Sequence, residues 1–146
     1  MKILIISPGK AHDHTVAGGV AEYEKRLKQF ALAWAHPKAG DKDTESIAIL
    51  KLLKDGDYVV LLDERGRDID TPAFAQLLDK QMQAGSKRLV FIVGGAFGIA
   101  ENVKDRTDAI IKISSLVLPH MLVRLVLVEQ LYRASSILSG GKYHHA

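Results

Sequence analysis

The pattern of apolar and polar positions divides the chain into alternating strands and helices. Apolar runs predict strands buried on both faces, as in parallel sheets, at residues 2–6, 58–62, 89–93 and 110–113. Alternation over residues 30–36 predicts a further strand, with a helix as the alternative. Apolar positions three or four apart predict helices that begin near Val16, Asp43 or Thr44, Thr71, Glu101 and Met121. The pattern therefore predicts an α/β fold with a mainly parallel sheet and helices on both faces.

A glycine-rich segment follows the most apolar of the predicted strands. Gly94, Gly95 and Gly98 lack a Cβ atom, so the backbone there can adopt a positive φ and approach a ligand closely. A tight turn that binds nothing is the alternative, because short glycine motifs are weak signals without their structural context.

The segment 116–120, with the sequence LVLPH, lies between a short predicted strand and the last predicted helix. Pro119 marks the start of that helix. In open α/β sheets, ligands bind outside the carboxyl ends of the strands, and both this segment and the glycine segment occupy such ends. The sequence therefore predicts a site where backbone N–H and C=O groups bind a flat heterocycle.

The last predicted helix is apolar around almost its whole circumference, at Leu122, Val123, Leu125, Val126, Leu127, Val128, Leu131 and Tyr132. A helix that is apolar all round is buried on more than one side. In a chain of this size we expect the second covering surface on another protomer, which predicts a symmetric homodimer. Glu129 and Arg133 are four residues apart on this helix and predict a solvent-facing ion pair.

Composition narrows the function classes. A length of 146 residues predicts a single domain over residues 1–146, and 47% hydrophobic with 25% charged residues is typical of globular proteins. The absence of cysteine excludes disulfides and a thiolate nucleophile and fits a cytoplasmic location. The apolar runs 2–6 and 121–128 are too short for a signal peptide or a membrane span, so we expect no membrane role. A net charge of +3 is weak evidence for nucleic-acid binding.

Two pairs of polar residues suggest chemistry that their surroundings do not support. His12 and His14 could bind a metal, but no third ligand is nearby in the sequence, so we expect a solvated loop and no metal. Asp63 and Glu64 follow a predicted strand, but neighbouring side chains there point to opposite sides. We therefore interpret residues 63–66 as a turn with local ion pairing.

Five motifs in order resemble one known family. Residues 91–98 (FIVGGAFG), residues 116–120, Arg124, residues 129–134 (EQLYRA) and the pair Tyr143-His144 resemble the RlmH family of large-subunit rRNA pseudouridine methyltransferases, of the SPOUT class. The resemblance implies a C-terminal trefoil knot, a homodimer and S-adenosylmethionine as cofactor. It also implies methylation of N3 of a pseudouridine in 23S rRNA on the assembled ribosome.

The resemblance also assigns roles to residues of this chain. It implies a cofactor site at Leu62, Gly94, Gly95, Gly98, Ser114, Ser115, Leu116, Val117, Leu118 and Pro119. It implies catalytic roles for His144, Arg124 and Tyr143, and substrate contacts for His120, Arg133 and His145. The pseudouridine N3 carries a proton that must be accepted, and a histidine with a pKa of about 6.5 can do so near neutral pH. A terminal segment that merely packs is the alternative for His144.

The tail departs from the family pattern. Family members usually carry lysine or arginine directly after the Tyr-His pair, where this chain has His145 and Ala146, and residues 140–142 (GGK) replace a polar residue and proline. A fixed charge has thus become a titratable one. We expect activity to depend more on pH between about 6 and 7.5 than in a family member with a basic end, which the His145→Arg variant tests.

Two other classes of function remain open at this point. A non-catalytic nucleotide-binding module could use the glycine segment for phosphate, although neither a Walker lysine nor a GxGxxG pattern is present. A protein that binds the ribosome without modifying it is the second alternative. A hydrolase has less support, because Ser114 and Ser115 lack a GxSxG setting.

Overall fold

A computed structural model of the chain describes residues 1–94 and 98–144. The elements, in chain order, are β1 (Lys2–Ile6), α1 (Ala17–Arg26), β2 (Ala31–Ala35), α2 (Lys42–Leu52), β3 (Asp57–Asp68), α3 (Thr71–Gln83), β4 (Arg88–Val93), α4 (Glu101–Arg106), β5 (Ala109–Lys112) and α5 (His120–Leu138). Each predicted strand and helix is present, and the alternating segment forms a strand, β2 (Ala31–Ala35), rather than a helix. The α/β prediction is confirmed.

The five strands form one parallel sheet in the order β2-β1-β4-β3-β5. The chain leaves the centre for the β2 edge, crosses to β3, and then inserts β4 between β1 and β3. The strand order therefore reverses beside β4, and crevices at such a reversal are where α/β proteins bind ligands.

Helices cover both faces of the sheet. Alternate residues of β4 serve the two cores: Phe91 packs in the core under α1, α3 and α5, and Ile92 packs in the core under α2 and α4. Both side chains are fully buried. A strand buried on both faces needs apolar residues at every position, which explains the unbroken apolar run of β4.

Strand β3 is longer than predicted. Its register against β5 jumps from Leu62 opposite Ile111 to Arg67 opposite Ile111, so residues 63–66 form a bulge and the strand then resumes. The predicted turn that ends the strand after Leu62 was wrong. The predicted local ion pairing is confirmed, since Asp63 Oδ1 accepts from the Arg65 backbone N–H at 2.9 Å and lies 3.7 Å from its Nε.

Aspartate side chains cap the N-termini of two of the helices. Asp41 caps α2 by accepting from Thr44 N–H at 2.8 Å, two residues before the earlier of the two predicted starts. Asp70 caps α3 by accepting from Ala73 N–H at 2.9 Å, so that helix begins at Thr71 as predicted. Asp41, Asp43 and Glu45 all lie near the start of α2, and only the folded loop selects which one caps it.

Helix α5 is buried on one side by its own chain. Leu127, Val128, Leu131 and Ala134 are fully buried against α1, α3 and the sheet, whereas Leu122 is 41% exposed. The protomer therefore covers only part of the apolar circumference. Within the described ranges 1–94 and 98–144, no helix has the length and apolar character needed to cross a membrane. The trefoil knot stays a prediction.

Candidate active site

A pocket of about 580 Å³ opens beside the bulge of β3 and the carboxyl ends of β4 and β5. Its volume lies in the range of about 300–1,000 Å³ found for small-molecule sites. The pocket is lined by Leu62, Asp63, Glu64, Arg65, Val93, Gly94, Gly98, Ile99, Ile113, Ser114, Leu116, Val117, Leu118, Pro119, His120 and Val123. The floor therefore comes from strand ends, and the walls come from the two segments singled out in the sequence.

Both described ends of the glycine segment line the pocket. Strand β4 ends at Val93 and passes directly into Gly94. Gly98 has φ +81°, a left-handed conformation that a side chain would strain. Ile99, the next residue, also lines the pocket.

The opposite wall is an irregular apolar segment before α5. Leu116 and Val117 are 76% and 80% exposed, and the backbone N–H of Leu116 donates to Ser114 Oγ at 2.9 Å. Pro119 precedes the first residue of α5, and among residues 1–94 and 98–144 no side chain caps the first N–H groups of that helix. Exposed apolar side chains beside a pocket of this kind mark a ligand or protein contact.

One side of the pocket carries charge that the predicted site did not include. Asp63, Glu64 and Arg65 line it from the bulge of β3. The sequence signal was the position of Asp63 directly after a buried strand. We interpreted these residues as a turn because the continuation of the strand beyond them was not visible in the apolar pattern.

Most of the predicted cofactor residues meet in this pocket. Leu62, Gly94, Gly98, Ser114, Leu116, Val117, Leu118 and Pro119 line it together with His120. Ser115 is not part of the lining, and Gly95 and His145 lie outside the described residues. The pocket also contains Val93, Ile99, Ile113 and Val123, apolar residues that sequence reasoning assigned to structure alone.

Arg124 does not line the pocket. Its side chain is fully buried one turn after His120, and its Nε donates to Ser7 Oγ at 2.7 Å. Burial lowers the pKa of Arg124. His12 lies beside it and contacts Trp34, with 4.3 Å between ring centroids, so a solvated loop was the wrong interpretation for His12.

The predicted tail residues form a separate cluster around Glu129. Tyr143 Oη donates to Glu129 Oε1 at 3.2 Å and lies 3.3 Å from Tyr23 Oη. The hydrogen bond with Tyr23, together with burial and the Glu129 charge, raises the pKa of Tyr143 to about 12. The tail thus folds back on α1 and α5.

Arg133 belongs to the same cluster. It donates through Nε and Nη2 to Glu129 Oε1, and its guanidinium lies over the Tyr143 ring at 4.7 Å. The hydrogen bond with Glu129 raises the pKa of Arg133. The predicted ion pair is confirmed, but its solvent-facing position was wrong, because the side chains are only 26% and 17% exposed.

Within one protomer, the tail cluster and the pocket are apart. Glu129 follows His120 by nine residues of α5, which is about 14 Å along the helix. His144 is half-buried, and its Nδ1 has no hydrogen-bond partner in the part of the chain that the structure describes. The structure therefore brings together the predicted cofactor residues but not the predicted catalytic ones.

Fold and pocket together define an α/β protein with a small-molecule site at the point where the strand order of its sheet reverses. The model of the family described as "Predicted SPOUT methyltransferase" matches residues 1–144. The chain belongs to the SPOUT methyltransferase family and is therefore a methyltransferase.

Relatives of similar length support this assignment. The chain is 37% identical to "Ribosomal RNA large subunit methyltransferase H" of Streptococcus agalactiae, with 99% of each chain covered. It is 40% identical to the protein of that name from Prochlorococcus marinus, over 96% of this chain and 90% of the relative. Among solved structures, a probable methylase family protein from Haemophilus influenzae matches with a TM-score of 0.53 and 16% identity, over 94% of this chain and 66% of that one. The last likeness concerns the fold alone.

Proposed function

We propose that this methyltransferase uses S-adenosylmethionine to methylate N3 of a pseudouridine in 23S rRNA on the assembled ribosome, in the cytoplasm. The observation that carries the proposal is the pocket, since eight of the ten residues that the family resemblance assigns to the cofactor line it. Relatives of nearly equal length are named as large-subunit rRNA methyltransferases, which supports the RNA substrate.

The residues present fit the cofactor. The pocket has the volume of a small-molecule site, apolar lining at Leu62 and Ile99, and backbone without a side chain at Gly94 and Gly98. Asp63, Glu64 and Arg65 together leave that side of the pocket with a net negative charge, which suits a cation. When bound, the cofactor supplies a methyl group on a sulfonium.

The protein's own residues align the two reactants. The walls made by residues 94, 98 and 116–119 hold the donor in one orientation, and His120 at the mouth faces the acceptor base. Orientation of this kind is worth roughly 7–11 kcal/mol in bimolecular reactions. In this proposal, a histidine then accepts the N3 proton.

We assign that histidine to a second protomer. Leu116, Val117 and Leu122 expose apolar surface beside the pocket, and the partner would cover them in a homodimer. The partner's tail would bring Tyr143 and His144 to the pocket that this chain's own tail does not line. Arg133 uses Nε and Nη2 for Glu129, so its RNA contact is assigned to Nη1, with His145 as a further substrate contact.

The test is transfer of labelled methyl from S-adenosylmethionine to ribosomes that carry pseudouridine but lack this modification. Deproteinised rRNA serves as the parallel substrate. We expect label in a methylpseudouridine of 23S rRNA, mainly from intact ribosomes. Ribosome binding without incorporation would favour the non-catalytic interaction protein, and absence of cofactor binding would overturn the proposed site.

A further inference from the structure

Arg124 is a buried cation without a carboxylate partner among the residues the structure describes. Burying a guanidinium is unfavourable unless its N–H groups are satisfied. Arginine carries five N–H hydrogens: one on Nε, two on Nη1 and two on Nη2. The position of their acceptors therefore shows what this side chain does.

All five hydrogens face acceptors in one short segment, residues 7–12. Nε donates to Ser7 Oγ at 2.7 Å, and Nη1 donates to Lys10 O at 2.9 Å and faces His12 Nδ1 at 3.4 Å. Nη2 makes longer contacts, at 3.3 Å to Ser7 O and 3.4 Å to Pro8 O. No N–H of Arg124 is left for a substrate, so the side chain fastens this segment to α5.

The fastened segment lies beside His120, one of the residues that line the pocket. It follows β1, which pairs with β4, the strand that leads into the glycine segment. Gly9 has φ +109°, and its N–H donates to Pro37 O at 2.8 Å. A Cβ atom built on Gly9 would lie 4.0 Å from Nε2 of His120, so the two residues face each other across a narrow gap.

We infer that Arg124 is a positioning residue which, together with His12, fixes the segment 7–12 against α5 and so sets the gap between Gly9 and His120 where the acceptor nucleotide enters. The inference rests on the proposed function for the identity of that nucleotide. It assigns Arg124 a role through the segment and His120 rather than a contact with the reacting atoms.

We call the hydrogen bonds by which Arg124 holds residues 7–12 the clamp. The clamp requires a neutral His12. Its Nδ1 faces a guanidinium N–H and must accept, whereas a protonated ring would present a second cation there. The groups that face His12 are Arg124 from α5, His36 after β2, Glu24 from α1 and the neighbouring Asp13. Burial and the Arg124 charge lower the pKa of His12, so the clamp holds at neutral pH and weakens only under acid conditions.

Arg124→Lys tests the clamp, with Arg106→Lys on α4 as the matched control. Lysine keeps the charge but cannot make five directed bonds. We expect a folded protein, cofactor affinity within about threefold, faster hydrogen exchange over residues 7–12, and kcat/KM on ribosomes lower by about tenfold or more. Arg106→Lys should change none of these. If Arg124→Lys does not fold, Ser7→Ala is used in its place, because it removes the acceptor of the shortest of the Arg124 hydrogen bonds.

His12→Asn supplies a readout that a merely structural role would not move. Its Oδ1 can accept from Arg124 but cannot be protonated. In His12→Asn we expect the acid limb of the kcat/KM profile to flatten. Adding Arg124→Lys to this variant should not restore the limb. The inference would be overturned if Arg124→Lys left hydrogen exchange over residues 7–12 unchanged and kcat/KM within twofold of wild type. Weaker RNA binding with unchanged hydrogen exchange would also overturn it. If the wild type transfers no methyl, the proposed function fails, while the exchange data still judge the clamp.

Discussion

At the scale of single residues, Gly66 makes the closest backbone approach among the described glycines, in the bulge of β3 next to the residues that line the pocket. A Cβ atom there would lie 2.5 Å from the carbonyl carbon of Ile111, which is backbone and cannot turn aside. We expect Gly66→Ala to lower the free energy of unfolding by about 1–3 kcal/mol, through overpacking, and to weaken cofactor binding. Urea unfolding and calorimetric titration with S-adenosylmethionine measure the two effects.

Gly18 provides the control for that substitution. It lies in α1 with nothing within 4 Å of a built Cβ atom. Gly18→Ala should therefore raise the free energy of unfolding by about 0.5–1 kcal/mol and leave cofactor affinity unchanged. Equal effects of the two substitutions would contradict the close contact between the bulge of β3 and β5.

The same scale shows where sequence reasoning stops. The residue types of the pocket were predictable, because glycines and a proline that follow strands indicate a site lined by backbone. The surroundings of Arg124 were not, since its acceptor Ser7 lies 117 positions away in the chain. An arginine on an apolar helix indicates that something satisfies it, and only the folded chain shows that residues 7–12 do.

At the scale of elements, a buried ion pair joins the starts of β3 and β4. Arg88 donates through Nε and Nη2 to Asp57 at 2.9 and 2.7 Å, and Nη2 also donates to Leu52 O at the end of α2. Removing one partner leaves the other charge buried. We expect Arg88→Met to cost about 3–5 kcal/mol in urea unfolding at pH 7, whereas Lys104→Met at the exposed Glu101 pair should cost under about 1 kcal/mol.

This pair also predicts a pH dependence. Burial raises the pKa of Asp57, but the bonds from Arg88 and from Lys54 N–H outweigh it, so the pKa lies below its usual value. A lowered carboxyl pKa contributes stability above the unfolded value of about 3.9 and loses it as pH falls further. The difference in free energy of unfolding between wild type and Asp57→Asn should therefore stay constant from about pH 5 to about pH 7. It should shrink below about pH 4. A difference that grows in acid would contradict this account.

Element boundaries were predictable wherever one apolar pattern decides them. Strand β4 matches its predicted bounds to within one residue, and α3 begins at the predicted Thr71, because burial on both strand faces and a capping Asp70 leave little choice. Strand β3 was predicted too short, because residues 63–66 are not apolar and form a bulge. Pairing with β5 resumes only after the bulge, at Arg67. A bulge depends on the neighbouring strand, which local sequence does not contain.

At the scale of the whole molecule, the proposed homodimer predicts complementation. Gly98→Val should strain the left-handed turn of the pocket, and His144→Ala should remove the proposed proton acceptor from the tail. Each variant alone should lose methyl transfer while remaining folded. Each mixed dimer has one site that pairs the intact pocket of one chain with the intact tail of the other, so about half of the sites in the mixed dimers should regain activity.

Co-expression of the two variants with different affinity tags isolates the mixed dimers. Methyl transfer by the tandem-purified pair is the measurement, with the doubly substituted homodimer as control. A mixed dimer as inactive as its parents would show that pocket and tail do not combine across protomers, and a monomer by light scattering would remove the basis of the scheme.

The position of β4 between β1 and β3 has a consequence for how the chain acquires its structure. Lys2 pairs with Arg88 across 86 positions, and Asp57 pairs with the same Arg88 from the other side. Loop closure over such separations slows folding, so we expect the central strand to join after both neighbours have formed. The pocket needs that strand and also the start of α5. A partly synthesised chain therefore cannot hold the methyl donor, and the capacity to bind it reports that folding is complete.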